Sequence, residues 1–73
     1  MASKSIRNIL AQNIRRRREN LGISQKELAE LAGFHRTYMN SVERAKRNIG
    51  IDGVERIAKA LKMELAEMFT HSR

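Results

Sequence analysis

The fold of this chain is decided by residues 25–43, which read QKELAELAGFHRTYMNSVE. Leu28, Ala32, Met39 and Val42 recur in this stretch at the three- and four-residue steps of a buried helix face. Gly33 lies between the two halves, and a small residue there lets two helices meet at a sharp turn. The stretch therefore predicts a helix-turn-helix motif over about residues 24–43.

The residues before the motif predict a first helix from about Ser5 to Asn20. Its expected buried stripe consists of Ile6, Ile9, Leu10, Ile14 and Leu21. Gly22 follows as a C-terminal cap, because glycine readily adopts the left-handed conformation that ends a helix. Ser24 and Glu27 then form a Ser-x-x-Glu capping box, which predicts the start of the second helix.

The residues after the motif predict two more helices and no strand. Residues 44–50 carry three cations and lack helical apolar spacing, so we expect a basic loop there. A fourth helix is expected from about Ile51, and a short fifth over about residues 64–70. The apolar residues that mark them are Val54, Ile57, Ala58 and Leu61, then Leu65, Met68 and Phe69. We therefore expect one all-α domain of five helices over residues 1–73.

Composition limits the classes of function. A chain of 73 residues is near the lower limit at which a hydrophobic core can hold a fold without a disulfide or a metal. Self-association would therefore add stability. The absence of cysteine excludes disulfides and thiolate metal sites. The net charge of +7 points to a polyanionic partner, most simply nucleic acid.

Residues 1–18 contain several cations, two serines and no acid, a composition also found in transit peptides and membrane-surface helices. The apolar spacing continues from there into the motif without a break, which favours an ordinary first helix. No apolar run is long enough to span a membrane. We therefore expect a soluble, cytoplasmic protein.

The exposed face of the predicted third helix is rich in hydrogen-bonding side chains. Arg36 can donate two parallel hydrogen bonds to guanine, and Thr37 offers a hydroxyl and a methyl group that suits thymine. Asn40 can read adenine or hold a phosphate, and Ser41 shares their face by spacing. We expect these four residues to contact base edges in the major groove. A solvated Arg36 without a ligand is the alternative.

The neighbouring polar residues suit the DNA backbone better than the bases. The loop residues Arg44, Lys46, Arg47 and Asn48 are expected at phosphates or at the edge of the minor groove, because they lie on irregular backbone. His35 is expected to contact a phosphate or to cap the third helix.

Several segments resemble the Cro/C1-type (XRE-like) helix-turn-helix repressors. They are LGISQKELAELAG at residues 21–33, Val42-Glu43, IAKAL at residues 57–61, and Met68-Phe69. The resemblance implies a compact, five-helix, lambda-repressor-like DNA-binding domain. Residues 35–48, HRTYMNSVERAKRN, are most similar to the controller proteins of restriction-modification systems. That similarity implies a homodimeric transcriptional regulator on a partly symmetric operator ahead of its own and the endonuclease genes.

The resemblance also implies roles for individual residues. Gln25, with the nearby backbone N–H groups, is expected to hold a phosphate at the start of the second helix. Tyr38 is expected to contact the DNA backbone, although its ring can instead pack under the second helix. Arg18 and Glu43 are expected to form an ion pair that ties the first helix to the end of the third. Arg17 replaces an apolar residue of the family, and we expect its guanidinium to reach water.

The C-terminal apolar residues have two expected uses. Leu61, Leu65, Met68 and Phe69 can complete the monomer core, form a self-complementary dimer interface, or do both. A dimer would place two reading helices about one DNA turn apart, ~34 Å. The expected partners are a double-stranded DNA operator and a second copy of the chain, and further candidates are a second dimer on an adjacent site and RNA polymerase. No membrane partner is expected.

Other functions fit the same residues less closely. A phage-type or chromosomal repressor would share them, and an antitoxin-like module would use the same fold to bind both DNA and protein. A sequence-tolerant nucleic-acid binder is a third alternative. His35 and His71 have no acid or nucleophile at a suitable spacing, so we expect no enzyme, no metal and no cofactor.

Overall fold

The structure is a computed structural model that describes residues 5–70, so His71 lies outside the described part. The helices are α1 (Ile6–Asn20), α2 (Gln25–Ala32), α3 (Arg36–Glu43), α4 (Ile51–Leu61) and α5 (Leu65–Met68). No strand occurs between residues 5 and 70, and the expected all-α fold of five helices is confirmed. Over the same range, every helix is too short or too polar to cross a bilayer.

A glycine cap and a capping box separate α1 from α2. Gly22 has a φ of 73°, and the Ile23 N–H donates to the Arg18 carbonyl at 3.2 Å. The Ser24 hydroxyl accepts a hydrogen bond from the Glu27 N–H at 3.0 Å. Glu27 Oε1 in turn accepts one from the Ser24 N–H at 2.7 Å. The predicted end of α1 and start of α2 are both confirmed.

The turn between α2 and α3 depends on Gly33. This residue has a φ of 80°, and a Cβ at its position would collide with the guanidinium of Arg56. The Phe34 N–H donates to the Ala29 carbonyl at 2.8 Å, which closes the end of α2. His35 occupies the N-cap position of α3, but its side chain forms no capping hydrogen bond. The capping role expected for the His35 side chain is therefore wrong.

All five helices contribute to one apolar core. Its largest fully buried side chains are Ile14, Leu28, Met39, Ile57, Leu61 and Met68. The buried stripe of α1 is shorter than its sequence predicts, because Ile6 is 61% exposed and Leu21 is 40% exposed. Ile6 begins α1 and Leu21 follows its last residue, so both lie beyond the surface that the other helices cover.

Polar side chains of α1 hold the C-terminal ends of α4 and α5. Arg17 Nε donates to the Leu61 carbonyl at 3.0 Å, so its guanidinium caps α4 and the expectation that it only reaches water is incomplete. The buried Asn13 donates through Nδ2 to the carbonyls of Met68 at 2.8 Å and Thr70 at 2.9 Å. These bonds stabilise α5, which has four residues and is too short to be stable alone.

Candidate nucleic-acid interface

An open cleft lies between the N-terminal ends of α2 and α3. It has a volume of about 500 Å³ and is lined by Arg18, Ser24, Gln25, Lys26, Arg36, Thr37 and Asn40. Three of the four residues expected to read bases therefore meet the expected phosphate ligand Gln25 in one place. The lining includes three cations and no acid, which suits a polyanion.

The residues expected to read bases differ in their exposure and in their contacts within the protein. Arg36 and Thr37 are exposed at the first turn of α3, and their side chains form no hydrogen bond within residues 5–70. Asn40 and Ser41 are half-buried about one turn further along α3. Ser41 does not line the cleft, whereas Asn40 lines it and is held by its neighbours. The first turn of α3 is therefore the part most free to approach base edges.

Four side chains form a hydrogen-bonded network at the base of the cleft. Arg18 donates to Glu43 from Nε to Oε2 at 2.6 Å and from Nη2 to Oε1 at 3.0 Å. Gln25 Nε2 donates to the same Oε1 at 3.1 Å, and Asn40 Nδ2 donates to Gln25 Oε1 at 3.1 Å. This Arg18–Glu43–Gln25–Asn40 network joins α1, α2 and α3 and fixes the orientation of the Asn40 amide.

The ion pair in this network is largely removed from water. The side chains of Arg18 and Glu43 are 13% and 2% exposed. Arg18 also donates from Nη1 to the Ile23 carbonyl at 2.9 Å. The hydrogen bond to Glu43 raises the pKa of Arg18 above its ordinary value, although desolvation acts against this rise. Because Glu43 is the last residue of α3, the pair fixes the end of that helix against α1.

The side chain of Gln25 is held within the cleft. Its amide is bonded to Glu43 and Asn40, and one of the two Nε2 hydrogens remains for a ligand. The backbone N–H groups of Gln25 and Lys26 donate to no acceptor in the described part of the chain. Such free donors at a helix N-terminus can bind an anion, so the backbone at the start of α2 is available to a phosphate.

Tyr38 packs through its ring. The Tyr38 and Phe34 rings are stacked with their centroids 4.7 Å apart and an interplanar angle of 29°. The Arg47 guanidinium lies 5.0 Å from the Tyr38 centroid. The Tyr38 phenol forms no hydrogen bond with any other described residue. The Tyr38 ring is therefore packed, but on Phe34 of the turn, and the phenol is still available to a ligand.

The basic loop after α3 is exposed, but only part of it is free of protein contacts. Asn48 Oδ1 accepts a hydrogen bond from Arg7, and Arg47 is held over Tyr38. The side chains of Arg44 and Lys46 form no hydrogen bond or ion pair with residues 5–70. These two cations are therefore the ones that can reach a phosphate without breaking an existing contact. His35 is exposed at the other end of α3, at its N-cap position.

Only two of the four residues expected at the dimer interface are exposed. Leu61 and Met68 have no exposed surface, so the prediction that they contact a partner is wrong and both belong to the monomer core. They are covered because α1 packs over α4 and α5. Leu65 is 49% exposed and Phe69 is 38% exposed, so these two residues can still contact a second chain.

Sequence reasoning missed further apolar surface near Phe69. A groove of about 560 Å³ is lined by Phe69, Ile6 and Ile51, among other residues. Ile51 is 85% exposed, the highest value among the large apolar side chains described. Ile51 is the first residue of α4, before the residues that this helix buries in the core.

Sequence reasoning also missed Arg56. This α4 residue donates from Nε to the Ala32 carbonyl at 2.9 Å and from Nη2 to the Gly33 carbonyl at 2.7 Å. No local pattern marks it, because the contact depends on how α4 crosses α2. No group of three or more His, Cys, Asp or Glu side chains within residues 5–70 is placed to hold a metal ion.

Comparison with known proteins agrees with this geometry. A family model described as helix-turn-helix matches residues 14–68. The chain is 43% identical over 65 residues to the control protein C.SmaI of Serratia marcescens, which covers 89% of this chain and 77% of that protein. The crystal structure of the hypothetical transcription factor NHTF from Neisseria has a TM-score of 0.89 at 34% identity, covering 97% of this chain and 87% of that one. The restriction-modification controller protein C.AhdI from Aeromonas hydrophila has a TM-score of 0.83 at 36% identity, covering 86% and 96%.

Proposed function

The chain belongs to the helix-turn-helix family of DNA-binding transcription regulators, and we propose that it acts as a restriction-modification controller protein. In this role it binds a partly symmetric double-stranded operator as a homodimer. It regulates its own gene and the endonuclease gene from that site. A second dimer on an adjacent site and RNA polymerase are the further partners of this proposal.

The observation that carries the proposal is the cleft between α2 and α3. It places the free side chains of Arg36 and Thr37 beside the free N–H groups of Gln25 and Lys26. Side chains of the first kind read base edges, and donors of the second kind bind the flanking phosphate. Since Gln25 of α2 is bonded to Glu43 and Asn40 of α3, the two kinds of contact keep a fixed relative position.

The exposed apolar residues outside this cleft support the proposal of a homodimer. Leu65 and Phe69 lie at the C-terminal end, and Ile6 and Ile51 share a groove with Phe69. Packing this surface against a second copy would bury it and extend a core that is small for an independent domain. Two copies then present two reading helices to the same face of the DNA, ~34 Å apart.

Selection of bound sequences from random duplexes tests the operator. We expect enrichment of two inverted half-sites whose centres are about 10 base pairs apart. Arg36→Ala, processed in parallel, should return the same spacing with one position relaxed in each half-site. Enrichment of a single unpaired half-site would contradict the dimer, and no enrichment would contradict sequence-specific reading.

Sedimentation equilibrium tests the dimer surface directly. We expect Ile51→Glu and Leu65→Glu to shift the protein toward monomer, because each places a charge in the proposed contact. Leu31→Glu is the matched control, since Leu31 is 65% exposed and does not line the Phe69 groove. Equal dissociation of all three variants, or of none, would contradict this surface.

A further inference from the structure

Arg56 closes the turn of the helix-turn-helix from outside the motif. Its two hydrogen bonds reach the carbonyls of Ala32 and Gly33, at 2.9 and 2.7 Å. Carbonyls at the end of a helix have no partner within that helix. A guanidinium that donates to two of them therefore stabilises one backbone conformation of the turn. The turn is therefore fixed by α4 as well as by the conformation of Gly33.

The same guanidinium begins a column of stacked side chains. It lies 4.1 Å from the centroid of the Phe34 ring, and Phe34 stacks on Tyr38 at 4.7 Å. The Arg47 guanidinium lies 5.0 Å from the Tyr38 centroid. Each cation is attracted to the ring that it faces through the ring quadrupole, and the two rings stack on each other between the cations. This Arg56–Phe34–Tyr38–Arg47 column thus runs from α4 through the turn and α3 to the basic loop.

We propose that Arg56 is a positioning residue for DNA reading, which sets the direction of α3 by holding the turn carbonyls and the Phe34 ring together. The inference rests on the proposed function, because it concerns the same base-reading residues. Phe34 lies two positions before Arg36, so a change in the angle of the turn moves Arg36 and Thr37 relative to the bases. A reading site needs its side chains held within about 0.5 Å of the productive geometry.

The chain offers matched variants for a test. Arg56→Lys keeps the charge but loses the planar fork that reaches two carbonyls and a ring at once. Arg56→Gln loses both. Lys59→Gln removes one charge from the same helix, at an exposed residue whose side chain forms no hydrogen bond within the described range.

The first measurement is the ratio of affinities for the duplex selected by the wild type and for a shuffled duplex of the same composition. We expect both Arg56 variants to lower this ratio between about 2-fold and 30-fold, the range found for residues that act on a site without contacting the ligand. Lys59→Gln should leave the ratio unchanged. Far-UV circular dichroism at the same temperature establishes that each variant is folded.

The second measurement is the near-UV circular dichroism of the free protein. The chain has one tyrosine and no tryptophan, so the tyrosine band reports the surroundings of Tyr38 alone. We expect Arg56→Lys to weaken this band and Lys59→Gln to preserve it. In a folded Arg56→Lys variant, an unchanged affinity ratio or an unchanged tyrosine band would overturn the positioning role.

Failure of the proposed function gives a different result. If the wild type itself selects no sequence, specific reading is absent and the reading role of Arg56 falls with it. If the wild type selects an operator and the Arg56 variants keep full selectivity, only the role of Arg56 is overturned.

Discussion

Glu43, the last residue of the reading helix α3, accepts two hydrogen bonds from Arg18, which lies 25 residues earlier in α1. The carboxylate also accepts a bond from Gln25, which in turn is bonded to Asn40. A residue outside the motif therefore sets both the position of α3 and the orientation of one side chain in the cleft. The contacts that stabilise the fold are therefore also the contacts that position α3, the proposed reading helix.

Glu43→Gln should lower the free energy of unfolding by about 3 kcal/mol, because it leaves the largely buried Arg18 charge without its carboxylate. Urea denaturation measures this change. Glu19→Gln is the control, since it breaks the Arg15–Glu19 pair, whose side chains are 65% and 56% exposed. That loss should stay under about 0.5 kcal/mol. Equal losses in the two variants would show that burial does not determine how much the Arg18–Glu43 pair contributes to the free energy of unfolding.

The contribution of the Arg18 charge to stability should not depend on pH up to about pH 10. The hydrogen bond to Glu43 raises the pKa of Arg18 in the folded state. The stabilisation is then fully present below the ordinary arginine pKa and is lost only as pH rises through the higher folded-state value. The difference in unfolding free energy between the wild type and Arg18→Met should therefore be the same at neutral pH and at about pH 10. A difference that shrinks over this interval would contradict the sign of the shift.

Arg36→Ala should relax sequence preference at one base pair in each half-site, because its guanidinium is free at the first turn of α3. The expected loss of discrimination is about 1–3 kcal/mol at that position. Affinities for a set of operators with single substitutions give this value. An equal loss of affinity for every duplex, including shuffled ones, would instead indicate that Arg36 contacts the DNA backbone.

Lys46→Ala should weaken binding to all duplexes equally, because Lys46 is an exposed loop cation without a protein partner among the described residues. The slope of log affinity against log salt concentration should become shallower by about 2 per dimer, from one lost phosphate contact in each subunit. Titrations at several salt concentrations measure the slope. Lys59→Ala should leave it unchanged, and a slope unchanged by Lys46→Ala would place Lys46 away from DNA.

Asn13→Asp should destabilise the protein by at least about 2 kcal/mol, since it replaces two donated hydrogen bonds with a carboxylate facing two carbonyls. Thermal and urea unfolding both report the loss. Gln12→Glu makes the same chemical change at the adjacent, exposed residue and should have little effect. Similar stability of the two variants would show that Asn13 does not hold the C-terminal end.

Local patterns predict the helices of this chain well. Gly22, Ser24 and Glu27 act within a few residues of one another, so their capping roles can be deduced from spacing alone. The cleft residues Arg36 and Thr37 follow from the periodicity of a single helix. These predictions need no knowledge of how one helix crosses another.

The remaining contacts depend on helix crossings that spacing does not specify. Whether Leu61 and Met68 face a partner or the core depends on the surface that α1 covers. The bonds of Gln25 depend on the closeness of Glu43 and Asn40, which lie on a different helix. For the same reason the contact between Arg56 and the turn has no signature in the sequence.

Asn13 and Arg18 lie five positions apart on α1, and they hold α5 and α3 respectively. Five helical residues rise about 7.5 Å, so α1 sets the distance along its axis between the anchor of α5 and the anchor of α3. Inserting one residue between them would rotate one anchor by about 100° relative to the other. A change in the length of α1 would therefore alter how α3 and the C-terminal end of the chain are placed relative to each other, without any change in the residues of the cleft.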